Sequence, residues 1–414
     1  MRPSRMRSAG LLAAVAAAAV LAASPAHADT VTDWNVNATD ALITTAGQAP
    51  TVSTIHLAMV HGAVFDAVNS IDRGYEPYLV RVPARSWYSK DAAAAAAAYR
   101  VLTDIVPAQQ STLAARYAAS LASIPDGAAK RGGVAVGEAA AWAMIAARTE
   151  DGRFGPYRFP VGAAPGSWRP VLPTFVNDPN AWVKDVEPFL GKDPEHFRSH
   201  GPYDLGSRRY AREFEEVKLL GSQTSTARSA DQTDAARFWA EGPMIITRLS
   251  RDLSGRFGLS VTDSARMYAM EYLTGADALI AVWDDKAHWL FWRPITAIRE
   301  AAADGNLATE ADPGWLPLIN NPPYPEHPSG LVGVTRAMFE SLEDLFRTDR
   351  IAFTATSLNS GTTRSFERFS QAADEVVDAR VWSGIHFRNG DEDASRIGKE
   401  VARWRDRHFF QKSW

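Results

Sequence analysis

The sequence predicts an all-α protein, on three observations. Apolar residues recur at helical spacing through most segments free of proline. No segment reads as a strand by alternation. Proline and aromatic residues concentrate in one central stretch, 153–207, which holds nine prolines and cannot remain helical. The expected organisation is a leader at 1–28 and a single helical domain over 29–414. Within that domain, 29–152 forms an N-terminal bundle, 153–207 an irregular belt and 208–414 a C-terminal bundle.

The leader carries Arg2, Arg5 and Arg7, then an apolar run from Leu11 to Ala23, then Ala26-His27-Ala28. This is the pattern of a secretory signal peptide cleaved near Ala28, and the absence of an Arg-Arg pair favours the general export route. The expectation is a secreted, extracellular protein with no membrane anchor, since no later stretch reads as a bilayer-crossing segment. Over the whole chain 44 Lys and Arg face 48 Asp and Glu. Losing three leader arginines makes the balance more acidic, which argues against nucleic acid as a partner. There is no cysteine, which excludes disulfides, zinc–thiolate sites and thiol nucleophiles.

Along the chain, Leu57, Val60, Val64, Val68 and Ile71 predict an amphipathic helix over 51–71, with His56 and His61 on it but no third ligand spaced for a metal. The alanine-rich stretch 91–105 predicts a closely packed helix. Two more follow around 109–123 and 133–149. The belt has the length and composition of either a lid or a strap packed between the two bundles, and its aromatic content favours anchorage. Helical spacing returns over 208–220 and near 231–253. A long helix is then expected from an N-cap at Thr262-Asp263 toward Trp292.

Three fragments carry the chemistry. Lys286 and Arg293 are seven apart, close to two helical turns, so one helix face would present both cations, with Pro294 limiting its continuation. Pro328-Ser329-Gly330 opens another periodic stretch, where free N–H groups, a hydroxyl and a bare backbone suit an anion. Arg380 and His386 are six apart, so a bend is needed for both to face one ligand, and Gly384 is placed to supply it. Three cations, a hydroxyl, a glycine and an imidazole suit a tetrahedral or trigonal-bipyramidal oxyanion.

Taken in order, the fragments resemble the vanadium-dependent haloperoxidases and the type-2 phosphatidic-acid-phosphatase superfamily, whose pattern runs Lys-x6-Arg-Pro, Pro-Ser-Gly-His, Ser-Arg-x5-His. The flanks from Phe291 to Arg299 and from Tyr324 to Pro328 look like the secreted bacterial haloperoxidase-like branch. The resemblance implies helical bundles of that type. It implies vanadate as cofactor, with phosphate able to take the same site. Lys286, Arg293, Ser329, Gly330 and Arg380 would hold the oxygens, and His386 would be the axial vanadium ligand. The implied partners are hydrogen peroxide, a halide and a small organic acceptor. The alternative is a secreted acid phosphatase cleaving phosphate monoesters through a phosphohistidine at His386, and a third is a phosphate- or vanadate-binding protein with little turnover. Two positions depart from the pattern: Ala379 replaces serine, and Leu331 replaces the histidine that handles protons. His327 is the nearest substitute acid–base, with His288, Asp285 and Glu326 as further candidates.

Overall fold

The computed structural model describes residues 29–413, so the leader at 1–28 lies outside the described residues. Asp29 caps α1 (Thr30–Thr39), which runs on as a π-helical turn over Asp40–Thr45. The N-terminal bundle continues with α2 (Pro50–Asp72), α3 (Lys90–Ile105), α4 (Gln110–Ala122) and α5 (Ala128–Ala147). Beyond the belt come α6 (Arg208–Leu220), α7 (Ala230–Trp239), α8 (Met244–Phe257), α9 (Val261–Trp289) and α10 (Pro294–Glu300). Then follow α11 (Gly330–Phe346), a hairpin of β1 (Phe353–Thr356) and β2 (Thr363–Phe366), α12 (Phe369–Trp382) and α13 (Arg388–His408).

The all-α reading holds, with that hairpin as its exception. Phe353 pairs with Phe366 in an antiparallel register, and Phe353 and Ala355 point inward while Thr354 and Thr356 face water. Alternation was therefore present, but over four residues, too few to stand out from noise.

Helix α2 is not amphipathic as the spacing suggested: every residue from Val52 to Ile71 is buried. It is also long and apolar enough to cross a membrane, contrary to the sequence reading, yet it lies enclosed by protein. α9 packs along it, α3 and α5 cover another side, and α11 and α13 extend the bundle from α9. The alanine run of α3 serves close approach: a Cβ on Gly137 of α5 would stand 2.3 Å from the carbonyl of Ala93. The expected helix near 231–253 is two helices, α7 and α8, parted by a turn in which Gly242 has φ +76° ahead of Pro243. The cap of α9 is Ser260, whose hydroxyl accepts from the Asp263 N–H, and not Thr262-Asp263.

The belt is largely strapped down. Trp168, Trp182, Phe189 and Phe197 are buried, while Phe154 and Phe175 are exposed. Asp277 of α9 accepts the N–H groups of Phe189 and Leu190, at 2.7 and 2.9 Å. Further along, the Trp168 N–H donates to the Leu290 carbonyl and the Trp292 N–H to that of Gly166. These bonds hold the belt against the segment that leaves α9, so the belt shapes the turn that delivers Arg293.

Candidate functional site

Lys286 and Arg293 do not share a helix face. α9 ends at Trp289, and Leu290 adopts the left-handed conformation at φ +48°. This costs a non-glycine residue on the order of 1 kcal/mol. The Leu290 N–H closes onto the Lys286 carbonyl at 3.0 Å, and the chain turns so that Arg293 becomes the N-cap of α10. Convergence of the two cations is thus made by a belt-supported turn.

The other fragments meet this turn through backbone bonds. The Glu326 N–H donates to the Phe291 carbonyl and the Ser329 N–H to that of Gly390, both at 3.0 Å. Arg293 Nε donates to the Tyr324 carbonyl and its Nη1 to that of Ile385, both at 2.8 Å. α12 ends at Trp382, and Gly384 makes the bend expected between Arg380 and His386, with φ +79° and no room for a Cβ against the Gly221 carbonyl.

Ser329 is the N-cap of α11, yet its fully buried hydroxyl caps nothing and faces the buried carboxyl of Asp391. Pro328 precedes that cap and is not in the first helical turn. Gly330 follows it against Trp283, where a Cβ would approach the ring to 2.6 Å. Two buried donors are unpartnered: Arg293 Nη2 and Arg380 Nε. Unmet donors inside a protein are costly, about 1–3 kcal/mol each and more when charged. Two of them on the guanidiniums of one site call for an oxygen-bearing acceptor, so the residues present fit a phosphate- or vanadate-type anion.

His386 is set for a ligand on one nitrogen. Its Nδ1–H donates to Glu326 Oε1 at 2.8 Å, and the same oxygen accepts the Phe387 N–H at 3.1 Å. Nε2 then accepts from Arg293 Nη1 at 3.2 Å, a bond that a ligand on this nitrogen would displace. Burial, then Arg293, Arg380 and Lys286, hold the imidazole well below its ordinary pKa, so it is neutral at physiological pH. Gly390 allows the carboxylate to sit there, since a Cβ at that residue would lie 2.6 Å from Glu326 Oε1.

Lys286 is fully buried, and its ammonium donates to the carbonyls of Pro325, Glu326 and Pro328. It braces the segment carrying Ser329, and direct contact with an anion requires releasing one of those carbonyls. Burial and then Arg293 lower its pKa well below the usual lysine value, while Glu326, Asp285 and Asp391 oppose them. Burial pulls Arg293 down to about 10. The ring of Tyr324 flanks both cations at 5.0 Å.

The acid–base candidates separate. His327 is buried, but its Nε2 meets Ser199 Oγ at 2.9 Å and Asp393 Oδ2 at 3.4 Å. Among the described residues no hydrogen bond joins His327 to Arg293, Ser329, Arg380 or His386. His288 is exposed. Asp285 accepts the Ser199 N–H and belongs with His327. Glu326 is committed to His386. Leu331 lies half-buried at the start of α11. Asp391, absent from the sequence reading, is fully buried in the first turn of α13. Burial and then Glu326 push its pKa well above the carboxylate range, with Arg380 opposing. Its one sequence signal was a carboxylate five residues past His386, and Ser199 gave none. Among the described residues there is no group of three His, Asp or Glu arranged for a metal cation.

Comparison with known proteins follows from this geometry. Residues 266–412 match the family described as the VCPO second helical-bundle domain. The chain is 28% identical to vanadium chloroperoxidase of Curvularia inaequalis, over 41% of this chain and 34% of that protein, so it spans about a third of that relative's length. Its structure is similar to a bacterial vanadium-dependent iodoperoxidase, with a TM-score of 0.79 at 21% identity, over 93% of this chain and 97% of that one. It is similar also to a holo-type bacterial vanadium-dependent chloroperoxidase, with a TM-score of 0.70 at 16% identity, over 94% and 99% of the two chains. At such identities the two structures speak for the fold.

Proposed function

We propose, for a chain that belongs with the vanadium-dependent haloperoxidases, a vanadate-dependent peroxidase activity that oxidises halide with hydrogen peroxide. Arg293, Arg380, Ser329 and the backbone at Gly330 would hold the oxygens, Lys286 would add charge from behind, and His386 Nε2 would be the single protein ligand to vanadium. When bound, vanadate supplies a Lewis acid that activates peroxide without changing oxidation state. The observation that carries this reading is the joint one of two orphaned buried guanidinium donors and an imidazole whose proton is fixed on Nδ1.

The chain's own residues then have distinct tasks. Arg293 and Arg380 bring fixed positive charge into a dry site, where it acts more strongly than in water. Glu326 keeps the His386 ring oriented and raises the basicity of Nε2. Leu331 can neither take nor give a proton. With His327 committed to Ser199 and Asp393, Asp391 is the buried carboxyl best suited to hold the proton the missing histidine would have handled. The residues that bind are present, and proton transfer is where this chain departs from the family pattern.

The test combines binding and turnover. Orthovanadate should bind in calorimetry and confer bromide- or iodide-dependent halogenation of monochlorodimedone between pH 4 and 8. His386→Ala should remove turnover. Hydrolysis of an aryl phosphate, lost in His386→Ala and inhibited by vanadate, with no halogenation at any pH in that range, would establish the phosphatase alternative instead. Vanadate binding without either activity would leave an oxyanion-binding protein.

A further inference from the structure

Two adjoining cavities lie beside the site. The inner one, about 150 Å³, touches Trp283, Tyr324, Gly330, Leu331 and Arg380, so it opens on the oxyanion residues. The outer one, about 260 Å³, lies among α2, α8, α9 and α11 and shares Pro50, Thr54, Glu241 and Pro243 with the inner. Leu57, Met244, Gly275 and Met338 supply the apolar part of the outer cavity's lining, and Gln48, Ser53 and Asn359 add polar groups. An apolar cavity of about 150 Å³ already accepts benzene, so a substituted single ring fits this volume.

Of the two carboxyls at the outer cavity, Glu241 is paired with Arg248, whereas Glu271 is fully buried without a cation and its Oε2 has no partner. Burial pushes its pKa up to about 8, so at neutral pH the carboxyl is protonated. Its proton lies on Oε1, which donates to Ser250 Oγ while the Ser250 hydroxyl donates to the Ile246 carbonyl, and Oε2 is left as an unmet acceptor. The neighbouring hydroxyls of Tyr272 and Thr247 are bonded to each other at 2.8 Å. Leu331 extends the apolar lining to the edge of the oxyanion site, 3.2 Å from the position a Cβ on Gly242 would take.

Resting on the haloperoxidase reading above, we propose that the outer cavity binds the organic acceptor, a single-ring phenol whose hydroxyl donates a hydrogen bond to Glu271 Oε2. The ring lies along Gly275 and Met338, with its far edge directed through the inner cavity toward the oxyanion residues. Leu331 is then a wall of the acceptor's path as well as a lost acid–base group.

Calorimetry with phenol and with toluene, in the absence of vanadate, halide and peroxide, tests this on the full chain. Phenol should bind wild type about tenfold more tightly than toluene, the effect of one hydrogen bond. Glu271→Leu should remove that preference, and Glu271→Gln, whose amide oxygen keeps an acceptor, should restore most of it. Gly275 offers a second route, because a Cβ there makes only ordinary contact, 3.5 Å from Met338 and 3.6 Å from Val334. Gly275→Leu should fill the cavity and abolish binding of both probes, with Gly275→Ala as the folded control. Equal binding of phenol and toluene to wild type, or phenol binding undiminished in Glu271→Leu and Gly275→Leu, overturns the proposal. Phenol binding as described, with no iodide oxidation by vanadate-loaded wild type, overturns the haloperoxidase reading alone.

Discussion

Replacing Glu326 by glutamine alters one charge at a single point of the site and should separate vanadate from phosphate. Glu326 Oε1 accepts two bonds, from His386 Nδ1 at 2.8 Å and from the Phe387 N–H at 3.1 Å. A glutamine oxygen can keep both, so the ring should stay in place. What is lost is the charge assistance, about half the strength of such a bond and roughly 1–1.5 kcal/mol. That loss falls on the basicity of Nε2, so vanadate, which bonds to it, should bind about tenfold more weakly. Phosphate makes no such bond in its ground-state complex, and it gains from removal of a negative charge close to Arg293 and Lys286. Its affinity should stay level or rise. Calorimetric titration of both anions into wild type and Glu326→Gln measures the ratio directly. Acidification supplies an internal check. Burial raises the Glu326 pKa, against the opposing influence of His327, Arg293 and Lys286. Vanadate affinity of wild type should therefore begin to fall at a pH above 4.5 as this carboxyl protonates, and the glutamine variant should lack that component. Equal weakening of both anions, or no change in either, would refute the assignment of His386 Nε2 as the bonding atom.

Three further outcomes follow from the site and the core. Leu331→His restores the residue type of the family pattern and should raise the native reaction by on the order of 10²-fold; an unchanged or lower rate in both halogenation and aryl-phosphate assays would mean that position 331 does not limit turnover. Asp391→Asn is nearly isosteric, and burial with Glu326 already disfavours charge on this carboxyl, so vanadate affinity should change by no more than a few fold, while turnover should fall by about 10²-fold or more if Asp391 handles the proton. Glu271 has a folded pKa of about 8 against 4.5 for the free side chain, so its contribution to stability is full below pH 4.5 and is lost as pH rises through 8. Urea unfolding should show a loss approaching ~5 kcal/mol across that window, and Glu271→Gln should flatten it.

How far the sequence could be read depended on the range of the interaction concerned. Helix existence is local: the apolar spacing, the prolines and the alanine run placed α3, α4 and α6 nearly residue for residue and found α5 with its start five residues late, because each pattern repeats within a turn or two. Burial is not local, and α2 shows why. Its spacing looked one-sided, but α9, α3 and α5 enclose it, and no property of residues 51–71 alone reports the neighbours. The hairpin at 353–366 escaped because its alternating stretch is too short.

The same division runs through the oxyanion site. The ordered fragments from Lys286 to His386 determined which residues form it and what class of ligand they suit, and residue order survives folding. The need for a bend at Gly384 was also legible, because six helical residues cannot point one way. The tertiary structure alone decided that Lys286 and Arg293 meet through a left-handed turn at Leu290 held by the belt. It decided too that Glu326 fixes the His386 proton, that His327 turns to Ser199 and Asp393, and that Asp391 comes close to Arg380. Each of these is a contact between segments far apart in the chain, set by packing and by the need to satisfy buried polar groups, and sequence spacing carries no record of either.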